Sequence, residues 1–146
     1  MKDDKFEADF CWHITFSTNR RRPIFDAPDL AAICATTVKD VCNQHGYRVF
    51  ALAFMPDHVH MVVSSGSSSH ALSKMMNHIK GVASRRLSEA TPELKFDLAS
   101  TGIWTEGYHA RVLANDDSVR VAIKYVDDNP ARVGLPPQNW EWLSPL

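Results

Sequence analysis

Apolar and polar positions alternate along the chain in blocks whose periods predict the element order β-α-β-β-α-β-α. Phe10 to Ser17 is rich in β-branched and aromatic residues and predicts a strand, closed by the polar run Thr18 to Pro23. Leu30, Ile33, Cys34, Thr37, Val38, Val41 and Cys42 recur at three- and four-residue spacing, predicting a helix from about Pro28 to His45 with Gly46 as its C-cap. Tyr47 to Phe54 predicts a second strand, Met55-Pro56-Asp57 a turn, and His58 to Val63 a third strand that pairs back on the second. After the serine-rich loop Ser64 to Ser69, a helix beginning near His70 carries Leu72, Met75, Met76, Ile79, Val82, Ala83 and Leu87 on one stripe. Thr91 to Gly102 has no period and reads as an irregular excursion before a fourth strand at about Tyr108 to Leu113. Asn115 to Ser118 offers N-cap chemistry to a last helix, which is expected to end at Asp128 or Asn129 because Pro130 disfavours α geometry in the residue before it.

This order predicts an α+β fold of the ferredoxin-like split βαβ plan. A four-stranded antiparallel sheet carries helices on one face, and an extra C-terminal helix bears Tyr125. With 146 residues, 45% of them hydrophobic, one domain over 1–146 is expected, with a core at about 10–135 and a tail at 136–146 whose Trp140 and Trp142 pack on the core. The net charge of -1 offers no global attraction for nucleic acid, so any such binding must come from local clusters such as Arg20-Arg21-Arg22 and Lys80 with Arg85-Arg86. Cys11, Cys34 and Cys42 are odd in number and form no CxxC pair, and the latter two lie on the apolar helix stripe, so a disulfide framework and a thiolate zinc site are both disfavoured. The first residues lack an apolar signal region, and no apolar run approaches the roughly 20 residues of a membrane span, so a reduced, cytoplasmic protein is expected.

The chemistry concentrates in two segments. In His58-Val59-His60 the period of two sends both imidazoles to one face of a strand and Val59 to the other, which is half of a metal site. On the last helix Val119, Ala122, Ile123 and Val126 form the buried stripe, with Tyr125 on its flank and Asn129 aligned with it one turn later. Two neutral imidazoles and one oxygen ligand leave open positions on a divalent cation that can polarise a phosphate oxygen. A tyrosine phenolate is a competent nucleophile for such an ester. Mixed nitrogen and oxygen ligation suits Mg2+ or Mn2+, with zinc left open.

At these residues the chain resembles a known family. Trp12-His13-Ile14-Thr15-Phe16, Met55 to His60, Gly107-Tyr108-His109-Ala110-Arg111 and Lys124 to Leu135 resemble, in the same order, segments of the single-tyrosine HUH transposases, the insertion sequence 200-like family. The tail is similar to the branch of REP-associated tyrosine transposases. The resemblance implies that His58 and His60 are metal ligands and Tyr125 is the nucleophile. Asn129 falls at the third-ligand position, where the mobile branch typically carries a longer glutamine, and direct coordination, coordination through water and a helix-capping role are all left open. It further implies cleavage of single-stranded DNA near imperfect hairpins, a 5′-phosphotyrosine, release of a 3′-hydroxyl that later rejoins strands, and no nucleotide cofactor. Both a monomer and a homodimer that exchanges tyrosines occur in the family, and the sequence leaves the two open.

Arg20, Arg21, Arg22, Lys80, Arg85 and Arg86 are the candidate contacts to the DNA backbone, and His13, His109 and Arg111 are placed to support the metal site from neighbouring strands. Two other functions compete with strand transfer. One is a domesticated module that binds hairpin DNA with little catalysis. The other is a small-molecule metal hydrolase or ligand-binding domain, which would need a further carboxylate and a base supplied by Asp57 or Glu106.

Overall fold

The computed structural model describes residues 10–66, 68–93 and 102–146, so most of the irregular stretch expected at 91–102 lies outside the described residues. Among them, β1 (Cys11–Ser17), α1 (Pro28–His45), β2 (Arg48–Met55), β3 (His58–Ser64), α2 (Leu72–Ala90), β4 (His109–Leu113) and α3 (Asp116–Arg132) follow in the predicted order, with short 3-10 turns at Asn19–Arg21 and Ile24–Asp26. The sheet order is β2-β3-β1-β4 with every pairing antiparallel, the split βαβ arrangement expected.

Local signals explain the boundaries. Pro28 opens α1, where a missing N–H costs nothing, and Gly46 closes it at φ 76, a left-handed conformation that favours glycine. Asn115 caps α3 with a full capping box: its side chain accepts from the Ser118 N–H, and the Ser118 hydroxyl accepts from the Asn115 N–H. The end of α3 corrects the sequence expectation, since the helix passes through Pro130 to Arg132. In a last turn the proline forfeits a single helical bond, its ring is buried, and its carbonyl accepts from both Val133 and Leu135.

Alternation sorts the strands into two faces. Ile14 and Phe16 of β1 and Val59, Met61 and Val63 of β3 point into the larger core, against the stripes of α1 and α2 that include Cys34, Val38, Met75, Met76 and Ile79. The opposite face carries a smaller core of Ala51, Ala53 and Val62 under Val119, Ala122 and Val126 of α3. An extra residue in β2, between the pairs Val49 with Val63 and Ala51 with Val62, adds Phe50 to that second core. Fully burying each large apolar side chain here stabilises the fold by about 1.5–3 kcal/mol. No helix among the described residues is long and apolar enough to cross a membrane.

The tail closes an edge. Gln138 brackets Phe54, its oxygen accepting from the Phe54 N–H at 2.8 Å and its amide donating to the Phe54 carbonyl at 2.7 Å. Trp140 Nε1 donates to the Leu52 carbonyl at 3.0 Å, and the Ser144 N–H donates to the Val49 carbonyl at 2.8 Å. Trp140 and Trp142 pack on the main core as expected. Four backbone groups of β2, an almost wholly buried strand, are thereby paired within the chain: the N–H of Phe54 and the carbonyls of Phe54, Leu52 and Val49. Trp140→Ala, which removes the edge contact with Phe54 and one of these hydrogen bonds, is expected to lower the unfolding free energy by about 2 kcal/mol in a denaturant titration.

Candidate active site

The second face of the sheet is apolar where α3 covers it and polar beside it. Cross-strand register puts His60 of β3 opposite Thr15 of β1, and Thr15 in turn opposite His109 of β4, while His13 pairs with Val62 on one side and Arg111 on the other. Directly paired residues share a face, so His13, Thr15, His58, His60, His109 and Arg111 all project on the α3 side. Tyr125, on the flank of α3, hangs over this polar strip and is 40% exposed.

The side chains converge. The His58 and His60 rings are 4.9 Å apart, His60 and His13 5.2 Å, and Tyr125 lies edge-on to both His13 and His60 at 5.7 and 5.8 Å. His60 Nδ1 is 3.1 Å from both His13 Nε2 and the Thr15 hydroxyl. Burial, with His58 and His13 nearby, pushes the His60 imidazole down to about 4, and burial followed by Arg111 lowers His13. Both rings are therefore neutral near pH 7 and keep a nitrogen lone pair. The Arg132 guanidinium sits 5.2 Å from the centre of the Tyr125 ring.

Asp57, in the turn before β3, accepts from His58 Nδ1 at 2.7 Å and from Arg21 Nε at 2.9 Å. Burial alone would raise this carboxyl, but the His58 hydrogen bond and the Arg21 charge outweigh it and hold it below the usual carboxylate range. Sequence reasoning considered Asp57 only as a hydrolytic base and missed this link, whose one visible signal was its place directly before His58.

Asn129 is 9% exposed, and its buried amide nitrogen has no hydrogen-bond partner among the described residues. An orphaned buried amide costs about 1–3 kcal/mol, and a half-turn of the amide would offer its oxygen to a cation instead. Neutral imidazoles and an unpartnered amide suit a hard to borderline divalent ion. Among the described residues no group of three His, Cys, Asp or Glu side chains is arranged to hold a metal.

The expected basic contacts divide. Arg21 stands at the site but is spent on Asp57 and on the Ser17 hydroxyl at 3.2 Å, while Arg20 beside it is exposed and Arg22 half-buried. Lys80 and Arg86 are engaged within the protein and stand apart from the histidines. Lys80 donates to the carbonyls of Thr105, at 3.0 Å, and of Gly107, pinning the approach to β4. Arg86 reaches Asp40 at 3.0 Å and Thr37 at 3.2 Å, joining α2 to α1. The reason is topological: α2, which also carries the exposed Arg85, packs on the sheet face opposite the histidines. A second histidine group, His45 with His70 and His78, gathers at the C-terminal end of α1. His45 Nδ1 lies 2.8 Å from His70 and its Nε2 2.9 Å from His78, so both nitrogens of the central ring are occupied.

The family described as IS200-like transposases matches residues 8–129. The ISDra2 transposase TnpA of Deinococcus radiodurans is 31% identical over 91 residues, which are 62% of this chain and 63% of that protein, so the match spans less than two thirds of the relative's length. Among solved structures, a REP-associated tyrosine transposase bound to a REP hairpin is similar in fold, with a TM-score of 0.65 at 18% identity over 91% of this chain and 74% of the other. A protein from Deinococcus radiodurans R1 described as a transposase is similar with a TM-score of 0.62 at 25% identity, over 83% of this chain and 90% of the other.

Because Tyr125 is partly exposed and touches the histidines through its ring, Tyr125→Phe should leave the unfolding free energy within about 0.5 kcal/mol of the parent protein by thermal or chemical denaturation.

Proposed function

The chain belongs to the IS200-like transposase family, and we propose that it cuts and rejoins single-stranded DNA beside imperfect hairpins through a 5′-phosphotyrosine on Tyr125. The observation that carries this reading is the meeting of Tyr125, from α3, with His60 and His13, from two central strands, at ring distances under 6 Å. The REP hairpin held by the solved relative supports a hairpin-bearing partner.

In this reading His58, His60 and the amide oxygen of Asn129 would hold Mg2+ or Mn2+. When bound, such an ion supplies positive charge against a non-bridging phosphate oxygen. The Tyr125 hydroxyl gives up its proton to solvent water and its oxygen attacks phosphorus. The new bond joins Tyr125 to the 5′-phosphate, the bond from phosphorus to the 3′-oxygen breaks, and that oxygen leaves as a 3′-hydroxyl after taking up a proton. A 3′-hydroxyl then attacks the phosphotyrosine, restores a phosphodiester and returns Tyr125 to its starting state. The partial exposure of Tyr125 suits a strand that must enter and leave, and α3 holds the ring from one side so that attack needs little reorganisation. Of the two carboxylates that the hydrolase alternative could use as a base, Asp57 and Glu106, Asp57 has both oxygens engaged, by His58 and Arg21.

The test is cleavage of labelled, hairpin-bearing single-stranded DNA in Mn2+ or Mg2+. The parent protein is expected to give a denaturation-resistant protein–DNA adduct, while Tyr125→Phe gives none. His58→Ala and His60→Ala are each expected to abolish cleavage without unfolding the protein, as is removal of the metal by a chelator. Binding without cleavage in either metal would favour the hairpin-binding module, and full activity in either histidine variant would overturn the site.

A further inference from the structure

The turn before β3 does more than reverse the chain. The Asp57 main-chain carbonyl accepts from both the N–H and the hydroxyl of Thr18, at 2.9 and 3.1 Å, which fixes the aspartate against the end of β1. Its carboxylate is divided between two donors, Oδ1 taking His58 Nδ1 at 2.7 Å and Oδ2 taking Arg21 Nε at 2.9 Å. Arg21 is itself steadied by the Ser17 hydroxyl at 3.2 Å. Arg20 and Arg21 both adopt left-handed backbone, at φ 58 and 55, a conformation that residues bearing a Cβ avoid unless their surroundings impose it. Strain of this kind gathers where a side chain has to be aimed, and here it accompanies a guanidinium brought onto a single carboxylate.

We propose that Asp57, held in place by Arg21, is a positioning residue that fixes the tautomer and ring orientation of His58 and so presents its Nε2 lone pair. An ionised carboxylate accepts and cannot donate, so the ring nitrogen against it must be the protonated one. In its neutral form His58 therefore carries its hydrogen on Nδ1 and its lone pair on Nε2. Among the described residues the partners at His60 Nδ1 are Thr15 and His13 rather than a carboxylate. The two histidines of the pair are thus set from opposite sides, His58 by the turn and the arginine segment, His60 by β1. A carboxylate behind a ligating imidazole also raises its basicity, which is worth about 10- to 100-fold in metal affinity. The metal part of this inference rests on the reading of His58 as a ligand; the tautomer part does not.

The experiment uses the full chain, labelled with 15N at histidine, in two measurements. In the metal-free protein, long-range 1H–15N correlation spectra are expected to show His58 with its proton on Nδ1 in the parent, and with a large Nε2–H population in Asp57→Ala. In a Mn2+ titration followed by electron paramagnetic resonance, Asp57→Ala is expected to weaken binding about 10- to 100-fold. Asp57→Asn, which keeps an acceptor oxygen, should restore part of the loss, and Arg21→Ala should lose less than Asp57→Ala. Matching thermal denaturation midpoints separate positioning from unfolding, and if Asp57→Ala fails to fold, Asp57→Asn and Arg21→Ala carry the same two readouts. An unchanged His58 tautomer in Asp57→Ala, or Nε2–H in the parent, overturns the proposal. If the parent binds no Mn2+ the metal reading fails, and the spectra alone then decide whether Asp57 positions His58.

Discussion

The seating of α3 on the second face of the sheet is the constraint on which the site depends. Ala51 and Ala53 of β2 and Ala122 of α3 present little more than methyl groups at that contact, so the helix can approach closely, and Val62, Val119 and Val126 fill the remaining space. That footprint covers only part of the face. The uncovered part keeps the polar residues that alternation also sends to this side, and Tyr125 is placed at the border because it lies on the flank of the buried stripe. If α3 were displaced, the tyrosine and the histidines would remain in the sequence but would no longer meet.

A surface with little net charge can still hold a strongly differentiated site. His60 and His13 are kept neutral by burial and by neighbouring rings and cations, whereas a few ångströms away Asp57 is kept ionised by Arg21 and His58. Neutral nitrogen donors backed by a fixed negative charge are suited to receiving a cation, and such a combination depends on local partners rather than on the total of -1. The same economy appears among the basic residues. Three of the six expected to face DNA are occupied within the protein, Arg21 by Asp57, Lys80 by loop carbonyls and Arg86 by Asp40.

The remaining architecture serves to make the sheet rigid. Two helices pack on one face and the tail covers the β2 edge through Gln138, Trp140 and Ser144, so β1 and β3, which carry His13, Thr15, His58 and His60, lie in the interior of the sheet with partners on both sides. Strands paired on both edges hold side chains in a narrower range of orientations than an edge strand can. The two strands that carry the histidine cluster are the ones with the most backbone support.

Much of this was legible beforehand because short-range rules act on neighbours along the chain. The period of two brought His58 and His60 to one face, the three- and four-residue stripes marked each helix, and Pro28 with Gly46 bounded α1 at the residues observed. The same local reasoning stopped α3 too early, because a buried Pro130 outweighs the steric preference of the residue before it. Partners far apart in sequence escaped it: Arg21 with Asp57, Lys80 with the carbonyls of Thr105 and Gly107, and the assignment of α2 to the face away from the histidines. The sequence by itself determined the elements, their order, the segments resembling the transposase family and the residue types of the site. Only the tertiary structure decided which charges neutralise one another and which face each helix covers, because those outcomes depend on distances across the fold that spacing along the chain does not encode.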